Sequence, residues 1–587
     1  MLLDFIKKHK LILVNALVLT FLVSAPIIFF PAVAGTRYQG INIAHFGSDE
    51  HYYLSRAREI LDSGKLGNIF LREWKDGGDT YSSYTEQILL LPFRLLHINI
   101  NVVALYNVYN FIGVFVLILL IYFFVYQLSR DKLLSALCAI FVIGGYSIIY
   151  NKTLFYHDFN AYGRSPNPYI SALFVFSYLN FLVKSFKSVD IKYKILSGIV
   201  FGISIYVYFY TWTFLLAFNG ALCLIFVLKK DYQKARDILL ISAGGLLIGS
   251  YNLLKMFLLF RSDMGKQISY FIWSSHSRAP IFSLLGTVTL GLFVYYNLKI
   301  KNDNNKLIVL AIIIAGWISL NQQILTNRTL QYGHFYWYFI VPLSIIIGLY
   351  MVWNLLPSTG LYRKIFFLVL LLTAYINTCG GQYLSFNSSY KEKISEQDYA
   401  PILQVLNKDQ QRGVILVADD TYSYLFSIYT PHDFFWMGAA IMSNTPVQRI
   451  KDALFVYMFL NKQSKGGLAT YINKVAPIHN RQNFYYEFYT TLEGYWSGLD
   501  YYDYERKVAL DDPQIIAERK TILPELDKEY ASMAFKTGGV EALLKKYGVN
   551  YIVWNKNKNP EWDLSSLSGL TEVISNQNIY LYKISYQ

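Results

Sequence analysis

The chain has 587 residues, 54% of them hydrophobic and 17% aromatic, with only 16% charged and a mean hydropathy of +0.30. That composition excludes an ordinary soluble protein and implies a polytopic membrane protein. The net charge of +14 is no argument for nucleic acid, because many of the lysines fall in short loops between apolar runs, as the positive-inside rule requires.

Lys7, Lys8 and Lys10 precede the first apolar run, Leu11 to Val33. It resembles a signal peptide but is too long and lacks a small-residue cleavage site, so it reads as a retained span with a cytoplasmic N-terminus. The loop that follows, residues 35–101, is then external. It contains HFGSDEHYYLSRAREILDSG, His45 to Gly64. From Glu50 onward Tyr53, Leu54, Ala57, Ile60 and Leu61 recur at helical spacing, with Arg56, Arg58, Glu59 and Asp62 opposite. An amphipathic helix of that kind is expected to lie on the bilayer surface, with Asp49 and Glu50 at its N-terminus and at headgroup depth. A second apolar patch, Ile88 to Leu96, contains Pro92 and Arg94. It is too short to span and is expected in the interface as well.

Further spans are expected at Val102–Leu128, Leu133–Tyr150, Tyr169–Phe186, Ile195–Thr211, Thr213–Leu228, Ile238–Phe260, Ile281–Leu298, Leu307–Leu325, Phe335–Leu355 and Ile365–Gly381. With the first, this makes about eleven transmembrane helices of spanning length. Loops carrying Arg130 and Lys132, Lys187 and Lys192, Lys229 and Lys230, Lys299 and Lys301, and Arg363 and Lys364 fall on the N-terminal side. The odd count then leaves the C-terminal part outside. Cys138, Cys223 and Cys379 lie in apolar runs and suggest neither disulfides nor a metal site.

Charges in the opposite loops are not explained by membrane insertion. Lys152, His157, Asp158 and Arg164 lie between residues 151 and 168; Arg261, Lys266, His276 and Arg278 between 261 and 280; Arg328 and His334 between 322 and 334. All are expected on the face that carries Asp49.

Residues 384–587 read as a mixed α/β domain, with buried strands at Gly413–Ala418 and Gly548–Trp554. Helices are expected at Val447–Leu460 and Val540–Lys546, and a terminal hairpin turns near Asn576–Asn578. Its acids, including Asp419, Asp420, Asp500, Asp503, Asp511 and Asp512, lack calcium-loop spacing and read as solvated turns.

A sugar carried on a lipid phosphate is transferred when an acceptor hydroxyl attacks its anomeric carbon. That chemistry needs a carboxylate base, cations for the departing phosphate and a site at headgroup depth. One span, a long external loop opening with an acidic pair and SDEHYYLSRAREIL, then a second external loop with another acid, resembles the GT-C superfamily of polyprenyl-phosphate-sugar-dependent glycosyltransferases. Protein O-mannosyltransferases, aminoarabinose transferases and oligosaccharyltransferases belong to it. No W-W-D-Y-G-type sequence occurs in the C-terminal domain, which argues against an N-linked oligosaccharyltransferase.

The resemblance implies a polytopic α-helical fold, residues 1–383, with an external α/β domain, residues 384–587. It implies Asp49 as catalytic acid of the first loop, Glu50 as its neighbour and Asp158 as the acid of the second. Arg164, Lys152, His157, Arg278, Arg328 and His334 are expected to bind substrate. If a divalent metal (Mg, Mn or Zn) takes part, Asp49 and Asp158 would hold it. The expected partners are a polyprenyl-phosphate sugar donor, a lipid, glycan or protein acceptor, and membrane lipids. A transporter of lipid-linked glycans, or a membrane protein whose external domain binds a partner, are the rival readings.

Overall fold

The structure is a computed structural model and describes residues 2–44, 49–80, 83–98, 100–164, 166, 168–262, 265, 275–303, 305–357, 360–409, 411–418, 420–476, 483–534, 536 and 538–586. His45 to Ser48, Lys266 and Asp419 lie outside the described residues.

The chain is a helical membrane protein. Among the described residues, eight helical segments are long and apolar enough to cross a membrane. They include α1 (Leu2–Ala34), α4 (Val102–Ser129), α7 (Tyr169–Lys187), α9 (Phe209–Leu228), α10 (Tyr232–Arg261), α12 (Lys306–Leu320, in a segment that continues to Thr326), α13 (Val341–Leu355, in a segment that begins at Gly333) and α14 (Gly360–Gln397). Helices α5 (Lys132–Gly144, followed by the short α6, Tyr146–Tyr150), α8 (Lys192–Val207) and α11 (Leu284–Lys299) stand where spans were expected. They are shorter than the roughly 20 residues that cross the hydrocarbon core, so length and composition do not confirm the expected count.

Local chemistry sets several boundaries. The Asn101 side chain caps α4 by accepting from the Ala104 amide at 3.0 Å, and Asp131 caps α5 through the Leu133 amide at 2.9 Å. Tyr208, in extended backbone, separates α8 from α9, one turn before the break expected at Thr211–Thr213.

The first long loop, residues 35–101, is where the structure departs most from the sequence reading. Helix α2 (Glu50–Asp62) forms as expected, but protein covers its polar face as well as its apolar one: Glu50, His51, Tyr52, Tyr53, Leu54, Arg56 and Glu59 are buried. It is enclosed by α3 (Thr85–Leu95), α4 and α15 (Asp420–Tyr429) of the C-terminal part. The physical reason is charge pairing at long range. The Arg56 guanidinium, 1% exposed, donates to Asp79 at 3.1 and 3.2 Å, to Glu86 at 3.3 Å and to the Ser83 carbonyl at 3.1 Å. A face that is polar in sequence is thereby made compatible with burial. Burial alone would depress the Arg56 pKa, but Asp79 and Glu86 hold it well above the usual arginine range.

The C-terminal part carries one five-stranded sheet in the order β2-β1-β3-β5-β4. Its strands are β1 (Val414–Val417), β2 (Asp433–Phe434), β3 (Val549–Asn555), β4 (Leu570–Asn576) and β5 (Ile579–Ile584). The first three pair in parallel and the last two close an antiparallel hairpin. Its turn contains Gln577 at φ 54°, the left-handed backbone a two-residue hairpin turn demands. The helix at Val447–Leu460 has the expected bounds.

Two links join the first long loop to this sheet. The Phe434 amide donates to the Phe70 carbonyl at 2.8 Å, extending the sheet edge with a piece of the loop. Glu59 and Asp433 share Lys75 and Arg412, with contacts of 2.6 to 3.1 Å. One apolar core accordingly contains Leu54, Ile60 and Phe70 of the loop together with Leu425, Phe434 and Val553 of the domain.

Candidate functional site

The N-terminus of α2 remains open while the rest of the helix is buried. Asp49 begins the helix through its carbonyl, which accepts from the Tyr53 amide at 3.2 Å, but its carboxylate makes no capping bond. That carboxylate is 71% exposed and pairs with Arg164, itself 22% exposed, through the guanidinium Nη2. The Nε of Arg164 is buried and has no hydrogen-bond partner. Burial would lower the Arg164 pKa; Asp49, with Tyr338 and Tyr53, holds it above the ordinary value. Glu50 is 1% exposed and lies in the electrostatic field of two buried groups of α14, Lys393 and Glu396.

The backbone leading to Asp49 is strapped to the far end of α14. Gln397 Oε1 accepts from the Gln39 and Ile41 amides at 2.9 and 3.3 Å, and its Nε2 donates to the Ile41 carbonyl at 2.8 Å. Lys393 donates to the Ile43 carbonyl, and Asn107 donates to the Asn42 carbonyl at 3.1 Å. The helix that leads out of the membrane part thus sets the position of the acidic pair.

Arg164 also lines a cavity of about 640 Å³, within the usual range for a small-molecule site. The cavity lies between α6, the loop at 151–168, the start of the helix at Tyr336 and one face of α14. A π turn at Tyr336–Ile340 presents Trp337 and Tyr338 to it; such turns interrupt helices most often at functional positions. The loop is pinned on α14: Asn377 accepts from the Phe155 amide at 2.9 Å and Gln382 from the Asn160 amide at 2.9 Å. The Phe155 ring lies where a Cβ on Gly380 would sit, at 2.2 Å, so the close approach of loop to helix requires glycine there.

The structure divides the expected site residues into groups. Asp158 and His157 line the same cavity as Arg164, and Asp49 joins it through Arg164. Asp158 does not pair with Arg164; its Oδ1 accepts from the Phe159 amide at 2.8 Å. His334 is held by the Tyr208 hydroxyl at 2.6 Å and lies in the field of Asp49 and Arg164. Lys152 is exposed, with φ 58°, and is not a cavity residue.

Arg278 and Arg328 lie elsewhere. Arg278 donates to Asn327 at 3.3 Å, and Arg328 is 3.7 Å from Asp500, which also meets His276 at 2.5 Å. Asp500 is therefore not the solvated turn expected from sequence: its side chain is 9% exposed because partners from two membrane loops cover it.

A metal at Asp49 fits poorly. Its carboxylate is taken by a guanidinium, that of Asp158 by a backbone amide, and neither is grouped with further ligands among the described residues. The group whose ligand atoms lie within 4.8 Å of one another is His276, Asp500 and Asp503.

Sequence reasoning missed the cavity face of α14. Asn377, Thr378, Gln382, Ser385, Ser389 and Glu392 follow one another at helical spacing. The signal was present in the sequence, but the expected end of the span at Gly381 cut through it.

No protein-family model matches the sequence, and no curated protein matches it in sequence. In fold the chain is similar to ArnT from Cupriavidus metallidurans bound to undecaprenyl phosphate, at 10% identity and a TM-score of 0.50, over 99% of this chain and 100% of that one. It is also similar to the Archaeoglobus fulgidus oligosaccharyltransferase tethered with an acceptor peptide, at 11% identity and a TM-score of 0.49, over 95% of this chain and 70% of that one. The first likeness shows that the two chains share a fold over their whole length.

Proposed function

We propose that the chain is a membrane glycosyltransferase that moves a sugar from a polyprenyl-phosphate carrier to an acceptor on the external face. The observation that carries this reading is the Asp49–Arg164 pair, a carboxylate and a guanidinium held at the mouth of one cavity. The fold shared with lipid-linked-sugar transferases supports it.

In this reading Asp49 takes the proton of the acceptor hydroxyl as its oxygen attacks the anomeric carbon. The new carbon–oxygen bond forms as the bond to the carrier phosphate breaks, and the phosphate leaves with the electron pair. Arg164, whose Nε has no protein partner, receives the departing phosphate by charge-assisted hydrogen bonds. Attack from the face opposite the phosphate inverts the anomeric configuration. Asp158 and His157 contact the acceptor, and Glu50 supports the start of α2 from within. No step requires a metal.

The loop lysines support a cytoplasmic N-terminus and, with it, an external domain from about residue 384. A reporter fused at Gln587 that is active only in the cytoplasm would contradict that orientation. Membranes carrying the full chain should release free polyprenyl phosphate from polyprenyl-phosphate sugars when acceptor is supplied, and Asp49→Asn should slow the release about 10²–10⁴-fold. Movement of the lipid-linked sugar across the bilayer without release of carrier phosphate would favour the transporter instead.

A further inference from the structure

Helix α14 is unusual for a membrane helix. Its outer surface carries Leu368, Val369, Leu372 and Ile376, all exposed, as contact with lipid requires. The opposite side from Asn377 to Glu392 is polar for almost its whole length and faces the cavity. Buried polar groups cost free energy unless they are hydrogen-bonded. Asn377 and Gln382 are accounted for by the loop they pin. Three serines line the cavity beside them.

Ser385, Ser388 and Ser389 each donate to a carbonyl of their own helix, at 2.7, 2.9 and 2.9 Å. Their oxygens keep lone pairs that can accept hydrogen bonds from a ligand. Across the cavity stand rings of Tyr150 and Trp337, 5.9 Å apart at 78°, surfaces on which the C–H face of a sugar ring stacks. Tyr162, 1% exposed and part of the lining, has a hydroxyl with no hydrogen-bond partner.

Charge narrows the ligand. The described lining contains two carboxylates, Asp158 and Glu392, against Arg164 and His157. Arg164 pairs with Asp49 and in the reading above takes the carrier phosphate, which leaves Asp158 and Glu392 facing any second anionic ligand. Of the amide side chains in the lining, Asn160, Asn377 and Gln382 already bond to the backbone of this chain, which leaves chiefly hydroxyls and rings for a ligand.

We infer that the cavity binds a neutral glycan, and that this glycan is the acceptor. The inference rests on the transferase reading for the word acceptor and on the lining alone for the word glycan. A hydroxyl of the bound sugar at the Arg164 end comes to Asp49, while the rest of the glycan extends along α14 toward Glu392.

The test uses the full chain in lipid nanodiscs, with maltose, cellobiose and chitobiose as probes and thermal melting as the readout. At least one disaccharide should raise the melting midpoint of the wild type and of Asp49→Asn. Ser389→Leu, which fills the serine face, should abolish the rise, and Trp337→Phe, a milder change, should reduce it. No rise with any probe, a rise that survives both substitutions, or a cavity-dependent rise with a hexapeptide pool or inorganic phosphate in place of sugar would each overturn the inference.

The bound disaccharide should also speed the release of carrier phosphate. Inhibition competitive with the lipid donor would assign the cavity to the donor sugar and sink the acceptor role. Carrier release that depends on Asp49 without sugar binding would refute the glycan while leaving the transferase standing. Sugar binding without carrier release would do the reverse.

Discussion

The middle of α2 and its N-terminus handle charge in opposite ways. At Arg56 each guanidinium nitrogen donates to Asp79, Glu86 or Ser83, and the whole group is sealed from water. At Asp49, two turns earlier, the carboxylate is open to solvent and meets one partner, Arg164, whose Nε is unused. The first arrangement is closed and can only hold structure. The second leaves bonding capacity facing a cavity, which is what a reacting group needs. Fold and chemistry are thus separated along one helix of four turns or fewer.

Substitution at Arg56 should sharpen the contrast most. Arg56→Met leaves Asp79 and Glu86 buried without a cation, and the expected loss is about 3–5 kcal/mol of stability, read as a lower melting midpoint in detergent. Arg164→Ala should change the midpoint by no more than about 1 kcal/mol, since its partner is largely exposed, while reducing use of the lipid donor. A midpoint that falls equally in both variants would erase the distinction.

The strap from α14 should come next. Gln397→Ala removes three hydrogen bonds to the backbone at residues 39 and 41, and a stability loss of about 1–3 kcal/mol is expected together with slower turnover. Turnover at the wild-type rate in a measurably destabilised Gln397→Ala protein would show that the strap does not position Asp49.

A pH scan tests the buried part of α2. Burial, with Lys393 nearby, pushes the His51 pKa down to about 4, against an ordinary value near 6.5. Between these values the unfolded chain binds the proton and the folded chain does not. Stability should therefore fall as pH drops from about 6.5 toward 4, by about 1 kcal/mol per pH unit, and be free of this contribution above that window. His51→Asn should flatten the dependence. An unchanged slope would show that another group is responsible; buried His432, shifted in the same direction, is the first to examine.

The smallest effect is expected at Lys152. The side chain is exposed and outside the cavity, so Lys152→Ala should leave both melting and donor affinity within error. A clear loss of donor affinity would restore the phosphate role expected from sequence.

Much of the fold was legible because its signals are local. The helix at Val447–Leu460 and the strands around Ile415 and Ile552 follow from apolar periodicity and short buried runs. The burial of α2 was not legible. An amphipathic pattern is the same whether the second face meets headgroups or protein, and the partners that decide between them, Asp79 and Glu86, lie in a polar stretch with no pattern of its own. Asp500 was misread for the same reason: His276, its partner, lies on a different loop of the membrane part. Of the candidate site, the acidic pair and Arg164 were visible as unexplained charges on one face. Their convergence on α14 depends on contacts between residues hundreds of positions apart, such as Lys393 with Ile43.

The most direct test of the central claim is the turnover of Asp49→Asn against Glu50→Gln in the full chain, with melting measured on both. Asp49→Asn keeps the shape of the side chain and removes its basicity. Turnover should fall about 10²–10⁴-fold with little change in melting, because the group is exposed. Glu50→Gln, in the buried cluster with Lys393 and Glu396, should act on melting first. Near-wild-type turnover by a folded Asp49→Asn protein would contradict the assignment of Asp49 as the base.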